Sequence, residues 1–277
     1  MRMGVHVSIA GSIDKAVDRA LERGCDAFQI FSRNPRGWKA KDISPEVASA
    51  FARKLERSKM TPAVDHMPYL PNLASPKEDV FERSVEALIG ELERCRLLGI
   101  PYLVTHLGSH LGQGREAGLQ RVVSAISKAP DFCKTIILLE TTAGTKNSIG
   151  GVFEDIGEIL EALDRDDVGV CLDTCHIFAA GYEVRTEDGL EITMERFDDC
   201  IGLSRLKLIH LNDSKGGLGS RMDRHEHIGL GQIGEEGIRS ILRHDAIRRC
   251  PAILETPVDE RRDDRGNLEA ARGLLPS

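Results

Sequence analysis

The chain repeats one local pattern eight times: a short run of β-branched and aliphatic residues, then a longer stretch with helical periodicity. The strand-like runs begin near Met3, Ala27, Thr61, Pro101, Lys134, Val168, Arg205 and Pro251. The helix-like stretches cover residues 12–23, 44–59, 77–98, 116–128, 153–164, 191–200, 234–244 and 265–274. Such a series predicts an α/β protein, a (β/α)8 TIM barrel whose parallel strands are covered on both faces. A doubly wound open sheet is the alternative, because a strand count does not establish closure.

The signals at the ends of the helices agree with this division. Gly24 and Gly99 stand where C-caps are expected, Ser12 and Ser44 where N-caps are expected, and Pro45 would take the first helical position. No low-complexity linker or shift in composition interrupts the series. Residues 1–277 are therefore predicted to form one barrel domain.

Composition narrows the class of protein. With 37 Lys and Arg against 44 Asp and Glu, the formal net charge is −7, which argues against coating nucleic acid through bulk positive charge. The apolar runs are far shorter than the about 20 residues of a membrane span, and the first residues lack the pattern of a secretory signal. The 7 cysteines are odd in number and scattered. We expect a cytoplasmic monomer with reduced thiols and no membrane partner.

Six successive strand-like runs end in a potential metal ligand: His66, His106, Glu140, Asp173, His210 and Glu255. The carboxyl ends of barrel strands converge on one face, so these side chains are expected to meet in a small volume. Any one of these residues alone is more readily explained as a polar side chain with ordinary hydrogen-bond partners or as a helix cap. Together, however, three neighbouring carboxylates require cations to offset their repulsion and desolvation.

Two further pairs extend the predicted metal site. His176 follows Asp173 by three residues where the sixth strand-like run ends, and Asp223 precedes His225 by two residues in an extended loop. His227 has the same spacing again, so spacing alone leaves His225 and His227 open as ligands. The whole set suits two or three ions, and mixed imidazole and carboxylate donors favour zinc, manganese or iron over calcium or magnesium. We expect His110 and His227 to lie outside the ligand shell, His6 to line the barrel, and Cys171 and Cys175 to be structural thiols.

Loops on the same face offer contacts to a large anionic ligand. A basic loop follows the second strand-like run, and further basic residues flank the seventh; they are Arg33, Arg36, Lys39, Lys41, Lys215, Arg221 and Arg224. Tyr69 and Leu70 lie three and four residues after His66 in a loop bounded by prolines. The functional interpretation is that the basic residues contact phosphate and that Tyr69 and Leu70 form an apolar wedge that enters a duplex. The alternative is that the charges are solvated and that the two apolar residues serve ordinary loop packing.

Long ordered segments of the chain resemble the endonuclease IV family of apurinic/apyrimidinic endonucleases. The resemblance spans nearly the whole chain and rests on VHVSIAG from Val5, HLGSH from His106, ETTAG from Glu140, CLDTCHIFAAGY from Cys171, HLNDSK from His210, GSRMDRHEHIG from Gly219 and ETP from Glu255. It departs at Gly37, at Pro68 and at Thr145–Lys146, and none of these positions is a predicted ligand.

The resemblance implies a barrel of the xylose-isomerase-like superfamily that binds three zinc ions, with Mn or Fe as alternatives at some sites. His66 and His106 would bind the first ion, and Glu140 would bridge it to a second ion bound by Asp173, His210 and Glu255. His176, Asp223 and His225 would bind the third, which selects His225 over His227. Arg36, Tyr69 and Leu70 would enter DNA at the abasic nucleotide.

The implied activity is base excision repair. The enzyme would hydrolyse the phosphodiester 5′ to an abasic site in duplex DNA, leaving a 3′-hydroxyl and a 5′-deoxyribose phosphate, with 3′-end cleaning as an additional activity. Glu255, which orients the attacking water, and Glu140 are the catalytic candidates. The alternatives are a two-metal sugar or sugar-phosphate isomerase on the same barrel and a damaged-DNA binder without catalysis.

Overall fold

The computed structural model describes residues 1–130 and 135–276. Eight short strands form one parallel sheet: β1 (Met3–Val5), β2 (Phe28–Ile30), β3 (Ala63–His66), β4 (Tyr102–Thr105), β5 (Ile136–Glu140), β6 (Val168–Asp173), β7 (Leu206–His210) and β10 (Ala252–Leu254). Two further strands, β8 (Asp213–Ser214) and β9 (His225–Glu226), pair in an antiparallel hairpin. Each of the eight sheet strands corresponds to one predicted run, although Lys134, where the fifth run begins, lies outside the described residues.

The helices alternate with the strands as expected. They are α1 (Lys15–Glu22), α2 (Pro45–Ser58), α3 (Glu78–Leu98), α4 (Arg115–Ser127), α5 (Phe153–Leu163), α6 (Thr174–Ala180), α7 (Glu187–Cys200), α8 (Gly234–Arg243), α9 (Asp245–Arg248) and α10 (Asp264–Gly273), with a 3₁₀ turn at Leu203–Arg205. The periodicity misses α6, α9 and the β8–β9 hairpin, because each is too short to show a period.

Most predicted caps are confirmed. Ser44 accepts a hydrogen bond from the Val47 amide and Pro45 opens α2, while Gly99 ends α3 in the left-handed conformation at φ 68°. Gly24 has φ 75° and follows the C-cap of α1 by one residue. The prediction for Ser12 is wrong: α1 begins later, and the Ser12 hydroxyl donates to Asp14 instead.

The sheet closes on itself, which excludes the doubly wound alternative. Its strand order is β1-β10-β7-β6-β5-β4-β3-β2, and a parallel bridge between His6 and Gln29 joins the two ends. Gly4 permits this closure, because a Cβ there would lie 1.7 Å from the carbonyl oxygen of Ala27. The product is a closed eight-stranded barrel.

Apolar side chains fill the space within the barrel and around it. Inside the barrel, one buried cluster contains six residues from six strands and Ala27, which directly precedes β2. Its members are Ala27, Val64, Val104, Leu138, Cys171, Leu208 and Ile253. A larger cluster packs the outer strand faces against the helices. Since side chains alternate along a strand, the residue two positions after each inner residue also points inward, nearer the carboxyl end. The inner cluster therefore supports the face on which the polar residues meet.

Two further observations concern the chain as a whole. Among the described residues, no helix combines the length and the apolar character needed to cross a lipid bilayer. The described cysteines are free thiols, and all but Cys200 are buried. Cys133 lies outside the described residues.

Candidate metal centre

A ring of polar side chains lies one layer above the inner apolar cluster. Seven of its members stand two residues after an apolar inner residue, and His6 stands two after Gly4; they are His6, Gln29, His66, His106, Glu140, Asp173, His210 and Glu255. The predicted ligands from six strands thus converge at the carboxyl face of the barrel. Three of them, His66, His106 and Glu255, line a cleft of about 510 Å³ that is open to solvent.

The imidazole and carboxylate donor atoms gather in three groups, each with its atoms within 4.8 Å of one another, and a fourth group combines Asp173 and His225 with the thiol of Cys175. The first group contains His66, His106 and Glu140, and the second contains Glu140, Asp173, His210 and Glu255. Glu140 belongs to both: its Oε2 lies 3.1 Å from His66 Nε2, and its Oε1 lies 3.0 Å from His210 Nδ1. This carboxylate is therefore placed between two candidate ion sites.

The third group contains His176, Asp223 and His225, which come from α6 and the loop around β9. Asp173 accepts a hydrogen bond from the His176 amide and so caps α6, which turns the imidazole toward the cleft. The hairpin carries His225, whose Nε2 lies 3.5 Å from an Asp173 oxygen and 3.8 Å from an Asp223 oxygen. Short local elements that the periodicity did not reveal therefore assemble this group.

Hydrogen bonds fix the orientation of the histidine rings. The Nδ1 atoms of His66, His176 and His225 lie 2.7, 2.8 and 3.0 Å from the carbonyl oxygens of Met67, Thr141 and Glu255. A carbonyl accepts only, so Nδ1 carries a proton and Nε2 is the ring nitrogen that faces the cleft. Carbonyl partners of this kind are typical of metal-binding histidines.

The electrostatics of the centre favour cations. Burial alone would raise the pKa of Glu255, but the surrounding histidines, His210 foremost, bring it down to about 2. The hydrogen bond from His176 brings the pKa of Asp223 to about 2 as well. Burial opposes charge on His176, yet Asp173 and Asp223 raise its pKa to about 10. The carboxylates therefore stay ionised and attract positive charge.

These residues fit divalent metal ions. His225 Nε2 is buried and has no hydrogen-bond partner among the described residues, although two carboxylates face it. The donors are imidazole nitrogens and carboxylate oxygens, the ligands that zinc, manganese and iron share. Cys175 lies near Asp173 and His225, but burial raises its pKa to about 12, so it stays a neutral thiol.

The remaining histidines lie outside the three groups. His227 is fully buried, with Nε2 2.9 Å from Asp259 and Nδ1 2.9 Å from the Asn267 amide, so it braces the loop after β9. His110 Nδ1 accepts hydrogen bonds from the amides of Gly112 and Gly114. Burial lowers the pKa of His6 to about 4, and its ring packs against Phe31. Among described residues, none of the three joins a ligand group.

The loops that border the cleft carry exposed aromatic, aliphatic and basic side chains. Tyr69 and Leu70 are 62% and 40% exposed. The Tyr69 amide donates to Pro35, so this loop touches the loop that carries the exposed Arg36. Lys39, Lys41, Lys215, Arg221 and Arg224 are exposed as well. Arg33 departs from the predicted basic surface: it is buried and ion-paired with Glu91.

Sequence reasoning missed two residues of the cleft. The ring of Phe31 packs at a tilt or edge-on against the rings of His6, His66 and Tyr69, with centroid distances of 4.3, 5.5 and 5.0 Å. Gln29 is fully buried and contacts His6, His210 and Glu255. A polar residue within the apolar run AFQIF was the available signal for Gln29.

Comparison with known proteins places this geometry in a family. Residues 17–276 match the family model described as "Xylose isomerase-like TIM barrel". The chain is 59% identical to a "Probable endonuclease 4" of Methanoculleus marisnigri over 98% of both chains, and 53% identical to one of Nitrosopumilus maritimus over 98% of this chain and 99% of that one.

Solved structures give the same result. Endonuclease IV from Thermus thermophilus is 37% identical, with a TM-score of 0.88 over 99% of this chain and 98% of that one. A D-tagatose 3-epimerase-like protein matches with a TM-score of 0.73 over 99% of this chain and 96% of that one, at 20% identity. The latter likeness concerns the fold alone.

Proposed function

The chain belongs to the endonuclease IV family of xylose isomerase-like TIM barrels, and from that premise we propose that it is a DNA repair endonuclease acting at abasic sites. It hydrolyses the phosphodiester 5′ to the abasic nucleotide in duplex DNA and leaves a 3′-hydroxyl and a 5′-deoxyribose phosphate. The observation that carries the proposal is the convergence of three donor groups at the carboxyl face of the barrel.

The donor groups support a division of the proposed ligands among three zinc ions. His66 and His106 would hold the first ion, Asp173, His210 and Glu255 the second, with Glu140 between them, and His176, Asp223 and His225 the third. Bound there, the ions would lower the pKa of water and offset the charge of the phosphodiester. Manganese or iron at some sites is the variant of this proposal, since both accept the same donors.

Glu255 and Glu140 are the proposed catalytic carboxylates. Glu255 is anchored on one side by the Gln29 amide, 2.6 Å from Oε1, while Oε2 lies 3.4 Å from His210 Nδ1. Since its low pKa keeps it ionised, Glu255 accepts a hydrogen bond from the attacking water and holds it in line with phosphorus. Glu140 keeps His66 and His210 in place on either side.

The border of the cleft supplies the DNA contacts. Tyr69 and Leu70 project into solvent, and Phe31 packs edge-on behind Tyr69 and supports its ring. Such wedges unstack a base step and stabilise a kinked duplex. Arg36 and the other exposed basic residues would contact phosphates, which explains how a chain with a net charge of −7 binds DNA through a local surface. We expect it to act as a cytoplasmic monomer.

The isomerase alternative is less well supported. A two-metal sugar isomerase has no use for the third group, His176, Asp223 and His225. The D-tagatose 3-epimerase-like protein is only 20% identical to this chain, so its likeness supports the fold and not an isomerase activity.

One experiment tests the proposal directly. Purified protein is analysed for bound metals, and the same preparation is incubated with a duplex containing one tetrahydrofuran abasic analogue. We expect close to three zinc ions per chain and incision on the 5′ side of the analogue. Two metals per chain with an intact duplex would contradict the proposal and direct attention to sugar substrates.

A further inference from the structure

Two members of the polar ring are left over when the ligands are assigned. Six of the eight ring residues belong to the donor groups, whereas His6 and Gln29 belong to none of them. They lie on β1 and β2, where a single parallel bridge between them closes the barrel. Gln29 is fully buried, so its amide must find partners inside the site.

All the polar contacts of the Gln29 side chain are with residues of the centre. Its Oε1 lies 2.9 Å from His210 Nε2, and its Nε2 lies 2.6 Å from Glu255 Oε1 and 3.1 Å from His6 Nδ1. The carboxylate of Glu255 accepts only, so the NH₂ group must face it and the carbonyl must face His210. Only one orientation of the amide therefore satisfies the contacts.

That orientation defines the tautomer of His210. Because the Gln29 carbonyl accepts from Nε2–H, Nδ1 is the ring nitrogen of His210 that is left to bind an ion. Nδ1 points at the donor group, 3.0 Å from Glu140 Oε1 and 3.4 Å from Glu255 Oε2. His66, His176 and His225 use backbone carbonyls for this purpose, whereas His210 uses a side chain from β2, three strands away around the barrel.

We propose that Gln29 is a positioning residue for the reaction: it fixes the tautomer of His210 and holds the Glu255 carboxylate in its catalytic orientation. The inference rests on the proposed function and deepens it. A neutral amide serves both partners, since it accepts from an imidazole and donates to a carboxylate. A carboxylate at this position would accept from His210 equally well but would repel Glu255.

The test uses the zinc-loaded, full-length protein and three variants. Gln29→Met keeps the length of the side chain and removes its hydrogen bonds to His210, Glu255 and His6. Gln29→Glu keeps the acceptor for His210 and removes the donor for Glu255. Ile30→Met is the control, because Ile30 is the next residue of β2, is fully buried and belongs to the outer core.

Three measurements separate positioning from mere folding. We expect Gln29→Met to lower kcat on the abasic duplex about 10- to 100-fold with an unchanged KM, and to lose zinc faster to a chelator. Its protected His210 Nε2–H signal in imidazole NMR spectra should disappear. Gln29→Glu should retain that signal and still have a low kcat, while Ile30→Met should match wild type.

Distinct outcomes overturn the inference and the proposed function. Wild-type kcat, zinc retention and His210 signal in Gln29→Met would refute the positioning role. Should Gln29→Met fail to fold, Gln29→Glu decides: wild-type kcat in that variant would refute the hold on Glu255. A wild-type protein that does not cut the abasic duplex would refute the proposed function, and the NMR and zinc-transfer measurements would still decide whether Gln29 positions His210.

Discussion

Replacing Glu91 with glutamine should destabilise the protein and loosen the loop that carries Arg36. The Glu91 side chain is 1% exposed, and its Oε1 lies 2.5 Å from Nε of Arg33, which is 8% exposed. Ser32 donates to its other oxygen, and Arg94 Nε lies 4.0 Å away. Glu91 thus links α3 to the second and third residues of the loop after β2.

The expected loss of unfolding free energy follows from the arginine charges that the substitution leaves without their carboxylate partner. Burial is the largest cause that raises the pKa of Asp65 well above its usual range, and it persists in the variant, so Asp65 adds little compensating negative charge. Without the Glu91 carboxylate, two arginines remain in a site closed to water. Removing one partner of such a buried pair costs about 3–5 kcal/mol, and since glutamine keeps the shape and one acceptor, we expect about 3 kcal/mol.

The assay is urea unfolding of the zinc-loaded protein, with Glu93→Gln as the matched control. Glu93 lies two residues along the same helix, but its side chain is 42% exposed and its pairing with Arg96 is on the surface. Such pairs contribute below about 1 kcal/mol. We expect Glu91→Gln to weaken duplex binding as well and to leave the zinc content unchanged. If both variants lie within about 1 kcal/mol of wild type, the argument from buried charge is refuted.

Three further predictions concern Asp65, Glu255 and Tyr69. Because the pKa of Asp65 is raised in the folded state, the wild-type protein loses stability as the pH rises above about 4. The Asp65→Asn variant should therefore gain stability relative to wild type between about pH 4 and 7. A difference in unfolding free energy between the two proteins that does not change with pH would count against this. Glu255→Gln should lower the rate of single-turnover cleavage by at least about 100-fold, while the duplex affinity measured in a gel-shift assay stays near wild type. An unchanged cleavage rate would show that Glu255 has no role in the mechanism. Tyr69→Ala should weaken binding of an abasic duplex by about tenfold or more, because its exposed ring is part of the proposed apolar wedge. Loss of zinc in that variant would instead give Tyr69 a role in the metal centre.

The sequence determined the features that depend on local order. Alternation of short apolar runs with helix-like segments was sufficient for eight successive βα units, because helices that pack on one face show a period of 3.6 and buried parallel strands appear as short apolar runs. It favoured a (β/α)8 barrel but did not establish that the sheet closes. It also placed His66, Glu140, Asp173 and His210, since each is the last residue of its strand and strand ends share one face. The resemblance, rather than spacing, selected His225 over His227.

Only the tertiary structure decided how distant segments meet. The sequence did not reveal that Gln29 reaches His210 and Glu255, or that Arg33 turns inward to Glu91. Nor did it reveal that the hairpin at Asp213–Ser214 and His225–Glu226 brings His225 to Asp173. These contacts join residues from separate strands and loops, and they form when the barrel closes and buries polar groups that must then find partners. A local pattern carries no record of such partners, because closure alone sets the distances between them.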